Sequence, residues 1–328
     1  MQRCIGKLIH LSMEEVYEQN LTMSFLRSEM PYEKRIAILP EDLKSVKHCE
    51  QLYFESGYGK DFLIEDACYE TYGCHIVSKE EALQKDILCD TKIGNASYLN
   101  SIGDNKIITG WIHAGADKAL TNTLINHKFT CYAWENFYKD HRHLFWKNNR
   151  IAGAGGVINA LQYTGYLPDG LKAGIIGRGD SAAGAFSMLS KLGVIIRQYN
   201  RKQEALFVEE LPNMDIVVMA IRWDTLRTDH LITSIARKSM KKTAIIIDIS
   251  DDANGAIEQS RSTLLNHPIY YLDDIMIYSV GNVPNIFYKS ATASISEVMC
   301  QYIDYLVEGN DDPVLSNSVI IKDGVLLR

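Results

Sequence analysis

From Leu171 the chain runs as an apolar stretch into Gly177-Arg178-Gly179-Asp180-Ser181-Ala182-Ala183-Gly184. It then spaces apolar residues helically (Ala185, Phe186, Met188, Leu189, Leu192), breaks at Gly193 and resumes in Val194-Ile195-Ile196. A buried-strand run, a tight turn, an amphipathic helix and a second strand make one βαβ unit. Residues 215–220 and 244–248 read as two more strands; they lack alternation, as expected when both faces of a sheet are covered. In the first half, strand patterns fall at 21–26, 51–54, 87–89, 106–109 and 129–134, and Pro40-Glu41-Asp42-Leu43 suits a helix start. Gly153, Gly155 and Gly156 are read as preceding an amphipathic crossover helix that ends near Gly165. Residues 291–306 are helical in pattern and are expected to return to the first domain.

The fold class predicted is therefore α/β, with two Rossmann-like domains built on parallel sheets. A nucleotide-binding domain over 149–290 is inserted in a discontinuous substrate domain formed by 1–148 and 291–328. Residues 1 to about 20 read as a polar lead-in with a capped helical turn over 12–17, and no function is assigned to them.

With 328 residues the chain exceeds the size at which one core keeps growing, which agrees with two domains. A formal charge of −7 lacks the basic footprint of a nucleic-acid binder, and small anionic substrates then need local cations. The longest apolar runs, such as 244–247, are far short of a membrane span. Lys7, His10, Glu14 and Glu15 interrupt the start too early for a signal peptide. Seven cysteines without a C-x-x-C pair are read as reduced thiols of a cytoplasmic protein. No metal site is expected: nothing about Cys68 and Cys74 suggests one, and His141-Arg142-His143 is read as surface.

The glycine turn is read as a dinucleotide cradle. Gly177 permits the turn, Gly179 leaves the backbone open to a pyrophosphate, and Ala182 is small enough for the helix to approach the sheet. Arg178, Asp180 and Ser181 complete the loop, and the helix start supplies free N–H groups and a positive dipole end. At the end of the second strand, where a carboxylate usually holds a free ribose hydroxyl, stand Asn200, Arg201 and Lys202. Two cations and no carboxylate favour NADP(H) over NAD(H); the bland alternative is a solvated strand end. Ala220, closing the next strand, and Asn282, in the polar loop 278–284, are further expected cofactor contacts.

Three strand-end residues in the first half carry candidate chemistry. Arg35 offers a planar fork for a substrate carboxylate through two parallel hydrogen bonds. Lys92 is placed to hydrogen-bond a keto oxygen, and His113 to exchange protons near neutral pH. Each alone is more often an ordinary solvated or structural residue; it is the joint occurrence that points to a site. Beyond the strand at 244–248, the acids of Asp248-Ile249-Ser250-Asp251-Asp252 can orient a lysine or receive an amine, with a capped turn the competing reading for Asp251.

These segments together resemble the alanine dehydrogenase and transhydrogenase superfamily, which includes lysine-forming saccharopine dehydrogenase, and within it the N5-(carboxyethyl)ornithine synthase branch. Residues 33–40 are similar to its carboxylate-binding Arg motif, Thr91-Lys92 to its substrate lysine, and 110–113 to its catalytic histidine. Residues 247–255 resemble the Val-Asp-x-x-x-Asp-x-Gly-Gly motif, which puts the second aspartate at Asp252, and 281–284 the Asn-Met-Pro loop. Residues 153–165, 175–186 and 199–202 look most like the synthase branch. The likeness runs over about 21–300 and departs at the extra lead-in, at Asn254 in place of a glycine, and in lacking a Lys-Glu-Pro phrase at the lysine.

The resemblance implies an NADPH-dependent condensation of a 2-keto acid, pyruvate above all, with the side-chain amine of ornithine or lysine. Arg35 would anchor the carboxylate, Lys92 polarise the keto oxygen, His113 manage protons, and Asp252 orient the lysine or accept the incoming cation. It also implies a homo-oligomer whose partners are small molecules. The alternatives are reductive amination of pyruvate with ammonia, a saccharopine dehydrogenase-like reaction, and a non-catalytic NADP-binding sensor.

Overall fold

A computed structural model describes residues 20–224 and 227–327. The lead-in expected over 1 to about 20 lies almost wholly outside the described residues.

Six strands of the first half are β1 (Met23–Phe25), β2 (Leu52–Glu55), β3 (His75–Val77), β4 (Ile87–Cys89), β5 (Ile107–Gly110) and β6 (Thr130–Ala133). A small hairpin follows, β7 (Tyr138–Lys139) with β8 (Arg142–His143). The middle of the chain supplies β9 (Lys172–Ile176), β10 (Ile195–Tyr199), β11 (Ile216–Met219), β12 (Ile245–Asp248), β13 (Ile269–Leu272) and β14 (Ile275–Tyr278). The C-terminus adds β15 (Val319–Lys322) and β16 (Val325–Leu326).

The first sheet has the order β16-β15-β6-β5-β4-β1-β2-β3 and the second β10-β9-β11-β12-β14-β13. In the first, β1 to β6 are mutually parallel and change direction of travel between β1 and β4, a topological switch point. In the second, β9 is the switch point, flanked by β10 and β11 in parallel. Every residue of β11 and β12 is buried, which is what their unbroken apolar runs require. Because β15 returns to pair with β6, the first sheet is made from both ends of the chain around the second.

The sheets are mostly parallel, as expected, with antiparallel strands toward their edges: β13 is antiparallel to β14, and β15 to both β6 and β16. Two-residue turns reverse β13 into β14 and β15 into β16. Asp273-Asp274 and Asp323-Gly324 all have positive φ, the geometry that folds a chain directly back on itself.

Hydrophobic layers cover both faces of each sheet. One face of the first packs on Ile295, Met299, Ile303 and Leu306 from the returning C-terminal helices, Tyr288–Met299 and Ile303–Glu308. The second is covered by Phe207, Leu211 and Trp223 on one side and by Val157, Ala182 and Leu189 on the other. Among the described residues no helix is long and apolar enough to cross a membrane.

The crossover helix is Trp146–Leu161, so Gly153, Gly155 and Gly156 lie inside it and not ahead of it. The reason is packing. A Cβ on Gly153 would sit 1.9 Å from the Ser181 carbonyl oxygen, and one on Gly184 would sit 2.0 Å from that of Arg150. The crossover helix and the helix Asp180–Lys191 thus touch backbone to backbone, which favourable helix residues with side chains would forbid. The buried stripe of the latter helix is Ala182, Gly184, Ala185 and Leu189; Phe186, expected on that stripe, is exposed.

Candidate functional site

Ligands of open α/β sheets sit beyond the carboxyl ends of the strands at the switch points. Here those ends of both sheets line one cleft. Its smaller chamber, about 370 Å³, is lined by Arg35, Lys92, Trp111, His113, Asn148, Asp251 and Asp252, among others. A larger chamber of about 960 Å³ shares Trp111, His113, Ser181 and Asp252 with it.

Lys92 leaves the end of β4 in a turn tied down by Asp90. The Lys92 backbone N–H donates to Asp90 Oδ1 at 2.8 Å, and the Tyr98 hydroxyl donates to the other oxygen at 3.1 Å. Burial raises the Asp90 carboxyl to about 7. Lys92 itself is buried, and its ammonium donates to the Gly281 carbonyl at 3.3 Å. Burial and then the Arg35 charge push the Lys92 pKa down, against the pull of Glu33, Asp251 and Glu135.

His113 follows β5 in the left-handed conformation, φ 53°, sparsely populated for a non-glycine residue. Glu135, just past β6, holds it there: its carboxylate accepts from the backbone N–H of His113 at 2.6 Å and of Ile112 at 3.2 Å. The ring lies 3.9 Å from the same carboxylate and is 51% exposed, open to the cleft on one side and walled by protein on the others. Desolvation by those walls lowers the His113 pKa; Glu135 opposes it, and the cations Lys92, Arg35 and Arg222 reinforce it. Sequence reasoning missed Glu135, although its place just after a predicted strand is the signal that singled out the other three.

Arg35 sits in the irregular segment after β1. Its fork is not wholly free for a substrate, as had been expected: Nε and Nη2 both donate to Glu33, each at 2.7 Å, and Nη1 donates to Asn148 at 3.1 Å. Trp111 covers the guanidinium at 4.9 Å. Three of five N–H groups are used, which leaves one on each of Nη1 and Nη2, along the edge away from Glu33.

The three acids after β12 divide the work. Asp248, buried, caps the turn by accepting from Ser250 N–H at 3.1 Å and Asp251 N–H at 3.2 Å, and burial raises it to about 8. Asp251 therefore receives a cap instead of being one. Its carboxylate accepts from Ser262 at 2.7 Å and Ser279 at 2.8 Å, and it is the acid of this loop whose charge bears on Lys92. Asp252 lines both chambers, accepts from the Trp223 N–H at 3.3 Å and shares the larger chamber with Arg222. Burial raises both Asp251 and Asp252 above the usual carboxylate range.

The glycine turn after β9 is as tight as its sequence requires. Gly177 has φ +124°, and a Cβ on it would meet the Ala220 carbonyl oxygen at 2.1 Å. Gln198 of β10 donates to the Gly177 carbonyl at 2.8 Å, a support not foreseen from sequence. Before the helix, Gly179 fronts open space: a Cβ there would meet nothing within 4 Å. Arg178 is exposed, Ala182 is buried against the sheet, and Asp180 lies 3.8 Å from Arg150.

Asn200, Arg201 and Lys202 start a helical turn in place of a plain strand end. Asn200 accepts from the Lys202 N–H at 2.9 Å, and Gln203 reaches back to the Asn200 N–H at 3.1 Å, a capping box. Arg201 lines the larger chamber and donates to the Arg222 carbonyl, while Lys202 is exposed. Asn282 is buried, with its Nδ2 3.5 Å from the Pro31 carbonyl; its Oδ1 is the buried side-chain atom left without a partner among the described residues.

His143, expected at the surface, is buried. Its Nε2 lies 2.9 Å from the Trp134 carbonyl and its Nδ1 3.0 Å from Asn149 Nδ2, so the ring ties β8 to the crossover helix. Among the described residues no group of three His, Cys, Asp or Glu is placed to hold a metal ion.

Comparison with known proteins agrees with this geometry. The sequence profile of the alanine dehydrogenase/PNT N-terminal domain matches residues 25–146, and that of the C-terminal domain matches 105–328. N(5)-(carboxyethyl)ornithine synthase of Lactococcus lactis subsp. lactis (strain IL1403) is 30% identical over 299 residues, covering 86% of this chain and 96% of its own. Alanine dehydrogenase 1 of Staphylococcus aureus (strain NCTC 8325 / PS 47) is 23% identical over 334 residues, 89% of each chain. A solved L-alanine dehydrogenase has the same fold, with a TM-score of 0.74 at 18% identity over 94% of this chain and 97% of that one. The chain belongs to the alanine dehydrogenase/PNT family, and so to the NAD(P)-dependent oxidoreductases that act on CH–NH groups.

Proposed function

We propose that the chain uses NADPH to join a 2-keto acid, pyruvate in the first instance, to the side-chain amine of ornithine or lysine, giving an N-(1-carboxyethyl)amino acid. The observation that carries this reading is the meeting of Arg35, Lys92, His113 and Asp252 with Ser181 of the glycine turn in one cleft. The carboxyethylornithine synthases among the relatives support the choice of amine.

The residues present fit the cofactor. Gly177, Arg178, Gly179, Asp180, Ser181 and Ala182 would hold the pyrophosphate in the open space at the helix start. Arg201 and Lys202, beside Asn200, would take the ribose phosphate, and Ala220 would bound the site from below. The buried acceptor Asn282 Oδ1 lacks a donor, and a nicotinamide carboxamide would supply one. When bound, the nicotinamide provides the hydride that reduces the C=N bond.

The chain's own residues do the positioning and the proton work. The free edge of Arg35 binds the keto-acid carboxylate. Lys92 hydrogen-bonds the keto oxygen, and its lowered pKa eases proton donation as the amine attacks. His113, with its pKa pushed down, is neutral near pH 7; it takes a proton from the attacking nitrogen and returns it to the hydroxyl that leaves as water. Asp252 receives the incoming cationic amine and takes the proton it must shed before its nitrogen can attack, and that proton makes good the one Lys92 gives to the keto oxygen. Closure of the cleft around these groups would protect the imine from hydrolysis.

Mass analysis of products from NADPH, pyruvate and a panel of amino acids tests the proposal. Expected is a secondary amine joining pyruvate to a basic amino acid, with turnover collapsing in both Lys92→Ala and His113→Ala. Turnover with pyruvate and ammonium alone would instead make it an alanine dehydrogenase-type enzyme. Absence of any keto-acid-dependent oxidation of NADPH would leave a nucleotide-binding sensor.

A further inference from the structure

His113 and Asp252, together with Trp111, Asn149, Ser181, Ile249 and Ser250, line both chambers and stand at the neck between them. Arg35 and Lys92 line only the smaller chamber, whereas Arg222, Trp223, Glu135 and Tyr138 line only the larger. A keto acid held by Arg35 and Lys92 therefore has its reacting carbon on one side of that neck. The larger chamber lies on the other side: Ser181, Arg201 and Ala220 give part of its wall to the proposed cofactor, and the rest of its space leads the amine to the neck.

That chamber holds a poised cation. Arg222 is exposed, and among the described residues it makes no ion pair. Its backbone is held on both sides: its carbonyl accepts from Arg201, and the next residue, Trp223, donates its N–H to Asp252 and lies buried beneath the Arg227 guanidinium at 4.1 Å. The side chain thus projects from a fixed base. Trp223, next in the chain, is hydrogen-bonded to Asp252, and Arg222 lines the same chamber as His113, which places it near the neck. On the same chamber wall as His113 stand Glu135 and Tyr138, an acid and a phenol.

We propose that the larger chamber binds an α-amino acid by its zwitterionic end, with Arg222 gripping the α-carboxylate so that the side-chain amine reaches the neck between His113 and Asp252. This rests on the proposed function and names the group that selects its second substrate. A guanidinium matches a carboxylate through two parallel hydrogen bonds. An enzyme that used ammonia would gain nothing from a cation in that position.

The test compares the full-length protein with Arg222→Gln and Arg222→Lys, using NADPH, pyruvate and either ornithine or 1,4-diaminobutane, the same diamine without the carboxylate. Expected in Arg222→Gln is a KM for ornithine raised tenfold or more, a smaller change in kcat, KM values for pyruvate and NADPH within twofold of the parent, and loss of the preference for ornithine over the diamine. Arg222→Lys should recover part of it. Calorimetric binding of ornithine in the presence of NADP+ should follow the same order. An unchanged KM for ornithine overturns the inference. So does a KM that rises for NADPH but not for NADH, which would make Arg222 a cofactor-phosphate ligand. If the parent turns over ammonium alone, the proposed function fails and calorimetry decides this inference separately: ornithine binding lost in Arg222→Gln upholds it, and no binding to the parent overturns it.

Discussion

Glu33 and Arg35, two residues apart in sequence, form a two-point ion pair in which both contacts are 2.7 Å and the side chains are 0% and 2% exposed. Glu33 also accepts from the Arg35 backbone N–H at 3.0 Å, so it fixes the arginine at both ends. A carboxylate this buried is held by its partner, and removing one member strands the other. Glu33→Ala should cost about 3–5 kcal/mol of folding stability, as for other broken buried pairs. Glu33→Gln, which keeps one acceptor, should cost less. Thermal or denaturant unfolding measures both; equal stability of Glu33→Ala and the parent would mean that the pair does not form.

Burial of Asp248, and then the charge of Asp251 beside it, raise its pKa to about 8. The native state thus keeps a proton on Asp248 that the unfolded chain releases near the ordinary carboxyl value. The stability tied to that proton is complete below pH 4 and is lost progressively as pH rises to about 8. Asp248→Asn keeps an acceptor for Ser250 and Asp251 but has no proton to lose. Its stability relative to the parent should therefore grow between pH 4 and pH 8 and then level off. A difference that stays flat across that range would show Asp248 to be ionised in the fold.

Gly153 is where an added methyl has no room. Alanine is ordinarily the better helix residue, yet a Cβ at this point lies 1.9 Å from the Ser181 carbonyl, at the start of the helix that forms the cradle. Gly153→Ala should destabilise by about 1–3 kcal/mol through overpacking and weaken NADPH binding by displacing that helix. Fluorescence titration with NADPH beside an unfolding curve checks both. A more stable variant with unaltered affinity would argue against the close approach.

The site was legible wherever chemistry coincided with a strand end. Lys92, His113 and the glycine turn were found because apolar runs stop abruptly at polar residues, and the fold carries those stops to a common edge. Arg35 was found, but its partner was not: Glu33 reads as one more charged residue until burial makes its pairing obligatory. Asp248, Asp251 and Asp252 could not be told apart by spacing, because their roles depend on which backbone N–H or hydroxyl each carboxylate meets. His143 was misread because two short strands turn it inward, and a hairpin of that size leaves no periodic trace. Asp323-Gly324 does carry a recognisable hairpin signal, overlooked among the longer parallel runs.

Asn200 offers a way to change cofactor choice without disturbing the fold. Its side chain caps the turn that carries Arg201 and Lys202, accepting from the Lys202 N–H. Aspartate caps equally well, so Asn200→Asp should leave the unfolding temperature close to that of the parent. It would, however, place a carboxylate where a ribose phosphate is proposed to lie, and that carboxylate suits a free ribose hydroxyl instead. Expected is a KM for NADPH that rises and a KM for NADH that falls. Arg201→Ala should act on the same preference by a different route: loss of one charge-assisted bond is worth about 1.5–3 kcal/mol, or roughly tenfold to a hundredfold in affinity for the phosphorylated cofactor. The two effects can be separated, because Arg201→Ala weakens NADPH without improving NADH, whereas Asn200→Asp does both. If the ratio of the two KM values is the same in the parent and in both variants, the phosphate does not bind at this turn, and the proposed preference for NADPH falls with it.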